Sequence, residues 1–74
     1  MALGRIKCFF PHQGYGYIQH HDGRPVYFHY TSWGERSPLD SSVIGMAVDY
    51  DLLETHHGPE ATNIRAISRG DFFP

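Results

Sequence analysis

The stretch Gln13-Gly14-Tyr15-Gly16-Tyr17-Ile18, QGYGYI, decides how this chain is read. Two tyrosines stand one glycine apart. In a strand, successive side chains alternate between faces, so Tyr15 and Tyr17 leave on one side and Gly16 and Ile18 on the other. A strand built only to fill a core would carry Val or Ile where this one carries two large, polar-tipped rings. Gly16 is then an inward position kept small, where it lets the strand coil tightly. Tyr15 and Tyr17 are outward positions kept large.

Working outward, strand-like runs recur at short intervals. Arg5 to Phe10 precedes QGYGYI and ends at Pro11, which has no N–H for a ladder. The run containing the two tyrosines extends to His20 and meets the hairpin pair Asp22-Gly23. Pro25 to Tyr30 follows, with Val26 and Phe28 on one face and Tyr27 and His29 on the other. In Ala47 to Leu53, Val48, Tyr50 and Leu52 alternate with Ala47, Asp49 and Asp51, a half-buried pattern. The turn pair Gly58-Pro59 introduces Ala61 to Ile67, with Ile64 and then Ala66 or Ile67 inward. Thr31 to Gly45 reads as a longer loop with room for one helical turn.

Five short strands in 74 residues make one all-β domain. Closing them into a barrel removes the exposed edges on which such chains aggregate. The predicted architecture is a five-stranded antiparallel oligonucleotide-binding (OB) barrel.

Composition narrows the function. Eleven aromatic rings (5 Phe, 5 Tyr, 1 Trp) exceed the needs of one small core, so some belong at the surface. The single cysteine, Cys8, excludes an internal disulfide and suits a reducing compartment. No apolar run approaches the ~20 residues of a membrane span, and the N-terminus lacks a signal-peptide pattern. A cytoplasmic protein is expected. The net charge of −2 argues against a strongly basic nucleic-acid surface, although Arg5, Lys7 and Arg24 make the N-terminal half the more basic one.

If the first three strands form a meander, Lys7, Tyr15, Tyr17, Tyr27 and His29, with Tyr30 at the end, share one face. Rings two residues apart on such a face lie roughly 7 Å apart, near the spacing of splayed bases. Stacking is worth about 1–3 kcal/mol per base and accepts any base, because each has a π face. Such a face binds single strands with few positive charges.

These runs also resemble the cold-shock domain from Gly4 to about Ile67, nearly the whole chain. GRIKCFF resembles the family opening G-x-V-K-W-F-N, and QGYGYI the first ribonucleoprotein motif, K-G-F-G-F-I. VYFHY resembles the second motif, V-F-V-H-F, and GPEATNI the closing G-P-x-A-x-N-V. The resemblance implies a five-stranded barrel; the domain is expected over residues 1–67, with a flexible tail over 68–74. It implies a protein that binds single-stranded RNA or DNA with little sequence preference, as an RNA chaperone or a regulator of transcription or translation. It implies no catalysis and no cofactor; separately, no metal site, small-molecule substrate or membrane partner is expected, and the chain is expected to be a monomer. Position by position, Lys7, Tyr15, Tyr17, Tyr27, His29 and Tyr30 fall on the family's binding residues, and His57 falls where a basic loop residue is frequent.

The departures are specific. Cys8 replaces a base-stacking Trp, and Gln13 replaces a Lys at a phosphate-binding position. Phe10 replaces an Asn that shapes the turn after the first strand. Phe28 and Trp33 replace smaller aliphatic residues at inward positions, so the barrel must absorb extra volume. Phe10 and Trp33 are the candidates to replace the missing ring. The expected result is single-strand binding that is weaker and less salt-sensitive than in a typical member.

Three alternatives use the same residues. A small β-barrel with a Tyr-rich, slightly acidic surface also suits Pro- or Arg-rich peptides. Cys8 and His12 could contribute to a soft-metal site. Cys8 beside Lys7 could be a reactive thiol, although a lone strand cysteine is more often a small apolar residue. The other histidines, including His20-His21 and His56-His57, read as loop and surface residues.

Overall fold

The computed structural model describes residues 2–36 and 39–67. Five strands account for most of them: β1 (Ala2–Phe10), β2 (Tyr15–His20), β3 (Pro25–His29), β4 (Ala47–Thr55) and β5 (Gly58–Ala66). They close in the order β1-β2-β3-β5-β4. The β1–β2, β2–β3, β4–β5 and β1–β4 seams are antiparallel. The last seam, between β3 and β5, is parallel at Tyr27–Glu60 and is extended by a Trp33–Ile64 bridge. The barrel is the expected OB type. The expected tail over 68–74, with Phe72 and Phe73, lies outside the described residues.

Alternation sends Ile6, Ile18, Val26, Phe28, Val48 and Tyr50 into the barrel, where Phe9, Val43, Ala61 and Ile64 complete the core. Each fully buried Val, Ile or Phe contributes about 1.5–3 kcal/mol of apolar transfer, so strict inside–outside patterning is the main driving force for closure. Two irregularities reset that pattern. On β1 the register steps from Ile6–Ile18 to Cys8–Tyr17, leaving Lys7 as an extra residue. Ile6 and Phe9, three apart, therefore both point inward, while Cys8 and Phe10 share the outward face of Tyr17 and Tyr15. Such a bulge bends a strand and adds twist, which barrel closure requires.

On β5 the register steps from Asp51–Thr62 to Asp49–Arg65. Here Asn63 adopts φ 52°, a left-handed conformation that Asn tolerates better than most residues, and its amide donates to Asp51 Oδ2 at 2.8 Å. Ala61 and Ile64 thus both face inward, with neither Ala66 nor Ile67 fully buried.

The turns follow local chemistry. Gly23, at φ 94°, closes the β2–β3 hairpin, and Asp22 accepts from the Arg24 amide at 3.0 Å. In the β4–β5 hairpin the Thr55 hydroxyl donates to the Gly58 carbonyl at 2.8 Å and accepts from the His57 amide at 3.1 Å. Gly58, at φ 108°, already belongs to β5, so the strand begins three residues before the expected Ala61. The long connection contains two 3₁₀ turns, Tyr30–Ser32 and Ser41–Val43, where one helical turn was expected. Asp40 caps the second, accepting from the Ser42 amide and hydroxyl, and Val43 drops into the core. Those bonds hold the Asp40 carboxyl below its ordinary pKa.

His20 corrects the reading of the histidine pairs as surface residues. Its ring is buried, and Nδ1 shares a hydrogen bond of 2.5 Å with the Tyr50 hydroxyl. The buried hydroxyl and imidazole satisfy each other, which removes the cost of leaving either unmatched in the core. Burial also pushes the Tyr50 phenol pKa up from its ordinary value.

Candidate nucleic-acid interface

The β1 bulge brings outward side chains into two rows across the sheet. One row reads Phe10, Tyr15, His29 over β1, β2 and β3. The other reads Cys8, Tyr17, Tyr27, Glu60 and continues onto β5. Tyr15, Tyr17, Tyr27 and His29 therefore share one face. The three tyrosine rings pack together: Tyr15 and Tyr27 stack at 5.7 Å with planes 25° apart, and Tyr17 stands edge-on to both, 6.0 Å from Tyr15 and 6.1 Å from Tyr27. The centroids are closer than the expected roughly 7 Å strand repeat because the rings lean together. The face is a faceted cluster of rings with two orientations.

Phe10 extends the cluster at the β1 end, 5.2 Å from Tyr15 and 41% exposed. Trp33, the other candidate replacement ring, is half-buried against the core beside Ile64. Cys8 faces outward beside Tyr17 and is partly exposed, as a small side chain in the row. Tyr30 lies beyond β3, 55% exposed, with its ring 4.6 Å from His29. The ring also covers Gly14, where a Cβ would approach Tyr30 Cδ1 to 3.0 Å. His29 Nδ1 is held by the Thr31 hydroxyl at 2.8 Å, which fixes the imidazole plane.

Gly16 explains the motif from beneath. Its partners in register are Phe9 on β1 and Phe28 on β3, and those two rings stack at 6.0 Å, 13° apart. A Cβ on Gly16 would lie 2.8 Å from Phe28 Cζ and 2.4 Å from the Cys8 carbonyl oxygen. The space left by the missing side chain is where the enlarged core residue Phe28 fits. Core and outer face are thus two sides of one short segment.

Beside the rings runs an open groove of about 900 Å³. Tyr17, Tyr27 and His29 form one wall, and Thr55, His57 and Glu60 of the β4–β5 hairpin form the other. His57 is exposed at its rim. Gln13 lies apart, in the β1–β2 turn, where its backbone N–H donates to the Phe10 carbonyl at 3.0 Å. It borders a smaller depression with Tyr30 and His12.

Positive charge is sparse. Arg24 pairs with Asp22 at 2.9 Å, and Arg5 donates to the Gly45 carbonyl at 3.0 Å. Lys7, at the bulge and exposed, is the cation on β1 left to meet a phosphate near the rings. Glu60 was not among the expected site residues, because Gly58-Pro59 reads as a turn. The available signal was its place immediately before inward Ala61.

No group of three or more His, Cys, Asp or Glu side chains among the described residues is arranged to hold a metal ion. No helix among them is long and apolar enough to cross a membrane.

A small closed barrel with a contiguous aromatic face places the molecule among the OB-fold proteins. Residues 2–67 match the family model described as the 'Cold-shock' DNA-binding domain, and the chain belongs to that family, a nucleic-acid-binding one. It is 31% identical over 61 residues to the cold shock-like protein CspC of Bacillus cereus, covering 82% of this chain and 92% of the relative. It is also 31% identical over 68 residues to the major cold shock protein of a Streptococcus pyogenes serotype M6 strain, covering 92% and 100%. Among solved structures it is similar to Drosophila Unr CSD456, with a TM-score of 0.75 and 17% identity. That match covers 92% of this chain but 27% of the other, and supports the fold.

Proposed function

We propose that this protein holds single-stranded RNA or DNA by stacking unpaired bases on Tyr15, Tyr17, Tyr27 and His29, with Phe10 and Tyr30 extending the surface. It does so with little sequence preference, as an RNA chaperone or a regulator of transcription or translation of the cold-shock type, acting as a cytoplasmic monomer. The observation that carries this reading is the contiguous ring cluster on β2 and β3 beside an open groove. A half-buried aromatic cluster on an outer face, flanked by the exposed rings of Phe10 and Tyr30, marks an interaction surface. Base faces match the chemistry of exposed phenol rings, and the sugar–phosphate chain need only skirt Lys7.

With one lysine beside the rings and Gln13 in place of a lysine, stacking outweighs counterion release. The affinity should fall with salt by a slope of only about 0.7 in log–log terms, the value for one neutralised phosphate on a single strand. The test compares U-rich RNA, matching single-stranded DNA and duplex DNA across a salt series. Both single strands should bind with a shallow slope, and the duplex should not. A duplex preference, a steep slope, or capture of Pro- or Arg-rich peptides in place of single strands would contradict the reading.

A further inference from the structure

We propose that residues 68–74 of this chain, SRGDFFP, fold back over a second groove on the outside of the barrel, where Phe72 and Phe73 cover Leu3 and Asp71 meets Arg5. The inference goes beyond the single-strand reading and rests on the barrel alone. The groove, about 440 Å³, crosses β2, β1 and β4 on the far side of the Lys7 bulge from the rings. Gln19 and His21 line it from the end of β2, Leu3 and Arg5 from β1, Ala47 from β4, and Ile67 from just past β5. Leu3 is 42% exposed on this outer strand face, opposite Asp49.

The path of the chain identifies the occupant. The Ile67 N–H donates to the Ala47 carbonyl at 3.0 Å, so the residues that follow start at the rim of this groove. Ala47 pairs with Arg5 across the next seam, and Arg5 pairs with Gln19. Arg5 is therefore two strand spacings from Ile67, roughly 10 Å. Four residues, Ser68 to Asp71, span up to about 14 Å. That length carries Asp71 to Arg5 and brings Phe72 and Phe73 over Leu3. Side-chain chemistry matches along the same path. A Phe ring buries about 150–250 Å² when covered, and two in succession need an apolar bed. Leu3, Ala47 and Ile67 supply it. The carboxylate of Asp71 falls beside the guanidinium of Arg5, whose Nη1 donates to the Gly45 carbonyl at 3.0 Å. That contact uses one of five N–H donors and holds the head group at the β1–β4 side of the groove.

The experiment is an NMR measurement on the full chain, paired with thermal melts. Nuclear Overhauser contacts should join the Leu3 methyl groups to the rings of Phe72 and Phe73. In a mixture of isotope-labelled and unlabelled protein, these contacts should arise within one copy and not between copies. Phe72→Ser with Phe73→Ser should lower the thermal midpoint by about 4–8 °C, the scale of one modest apolar contact in a domain of this size. In a Leu3→Ser background the same pair of changes should cost clearly less, because the contact is already lost. Absence of the ring–methyl contacts would overturn the proposal, as would fully additive losses in the combined variant. Contacts that appear only between copies would overturn it too, and would give the groove to a second molecule of this chain.

Discussion

Gly16 lies beneath the ring of Phe28, so close that a single added carbon would sit 2.8 Å from Phe28 Cζ. The backbone blocks the other side, with the Cys8 carbonyl oxygen 2.4 Å away. Gly16→Ala should therefore destabilise the barrel by about 1–3 kcal/mol, the usual cost of overpacking a core. Because Phe28 is the yielding partner, Phe28→Val in the same chain should recover part of that loss. Urea unfolding of the single and double variants measures both, and additive losses would show that the two positions do not share one space.

The Tyr50–His20 hydrogen bond predicts a particular alkaline behaviour. Burial raises the folded-state pKa of the Tyr50 phenol above its ordinary value near 10. The unfolded chain then releases this proton first as pH rises, so it binds fewer protons than the folded chain. Stability should fall from pH ~10 upward, through the folded pKa, and be unaffected by this group below that window. Tyr50→Phe should flatten this alkaline limb. At neutral pH it should cost about 1–3 kcal/mol, because the His20 Nδ1 atom is left buried without its partner. Denaturant melts at neutral and alkaline pH test both parts.

The two candidate replacement rings part company by location. Phe10 lies on the outer face against Tyr15, whereas Trp33 packs on the core. Phe10→Ala should weaken single-strand binding by about 1–3 kcal/mol, as loss of one stacking partner does. Stability should move by only about 0.5 kcal/mol, as for most surface changes. Trp33→Phe should do the reverse, lowering the thermal midpoint while leaving affinity unchanged. Affinity loss in Trp33→Phe alone would reverse the assignment.

Much of this arrangement was legible in the chain. QGYGYI placed its rings and its glycine on opposite faces because period-two alternation is unbroken from Tyr15 to His20. Asp22-Gly23 located the hairpin that sets Tyr27 opposite Tyr17, since that turn needs a glycine at positive φ. The bulge at Lys7 was not legible, and it alone decides that Phe9 enters the core while Phe10 joins the outer row. An inserted residue leaves no mark on composition, and two adjacent phenylalanines fit either phase. The second phase change, at Asn63, depends on a left-handed residue and on the Asp51 contact from another strand. The burial of His20 likewise depends on Tyr50, thirty positions away. Glu60 stayed hidden because Pro59 reads as a turn residue, whereas the parallel seam with β3 carries the strand back through it.

The central claim is that bases stack on the phenol rings of β2 and β3, and the most direct measurement is oligo-U affinity in the Tyr15→Ala, Tyr27→Ala double variant. These two rings form the near-parallel pair of the cluster, 5.7 Å apart and half-buried, so their removal opens the platform without emptying the core. The account predicts a loss of about 2–6 kcal/mol, which abolishes binding in a gel-shift assay, from a barrel that still melts cooperatively. A folded double variant that binds oligo-U as tightly as the parent would contradict it.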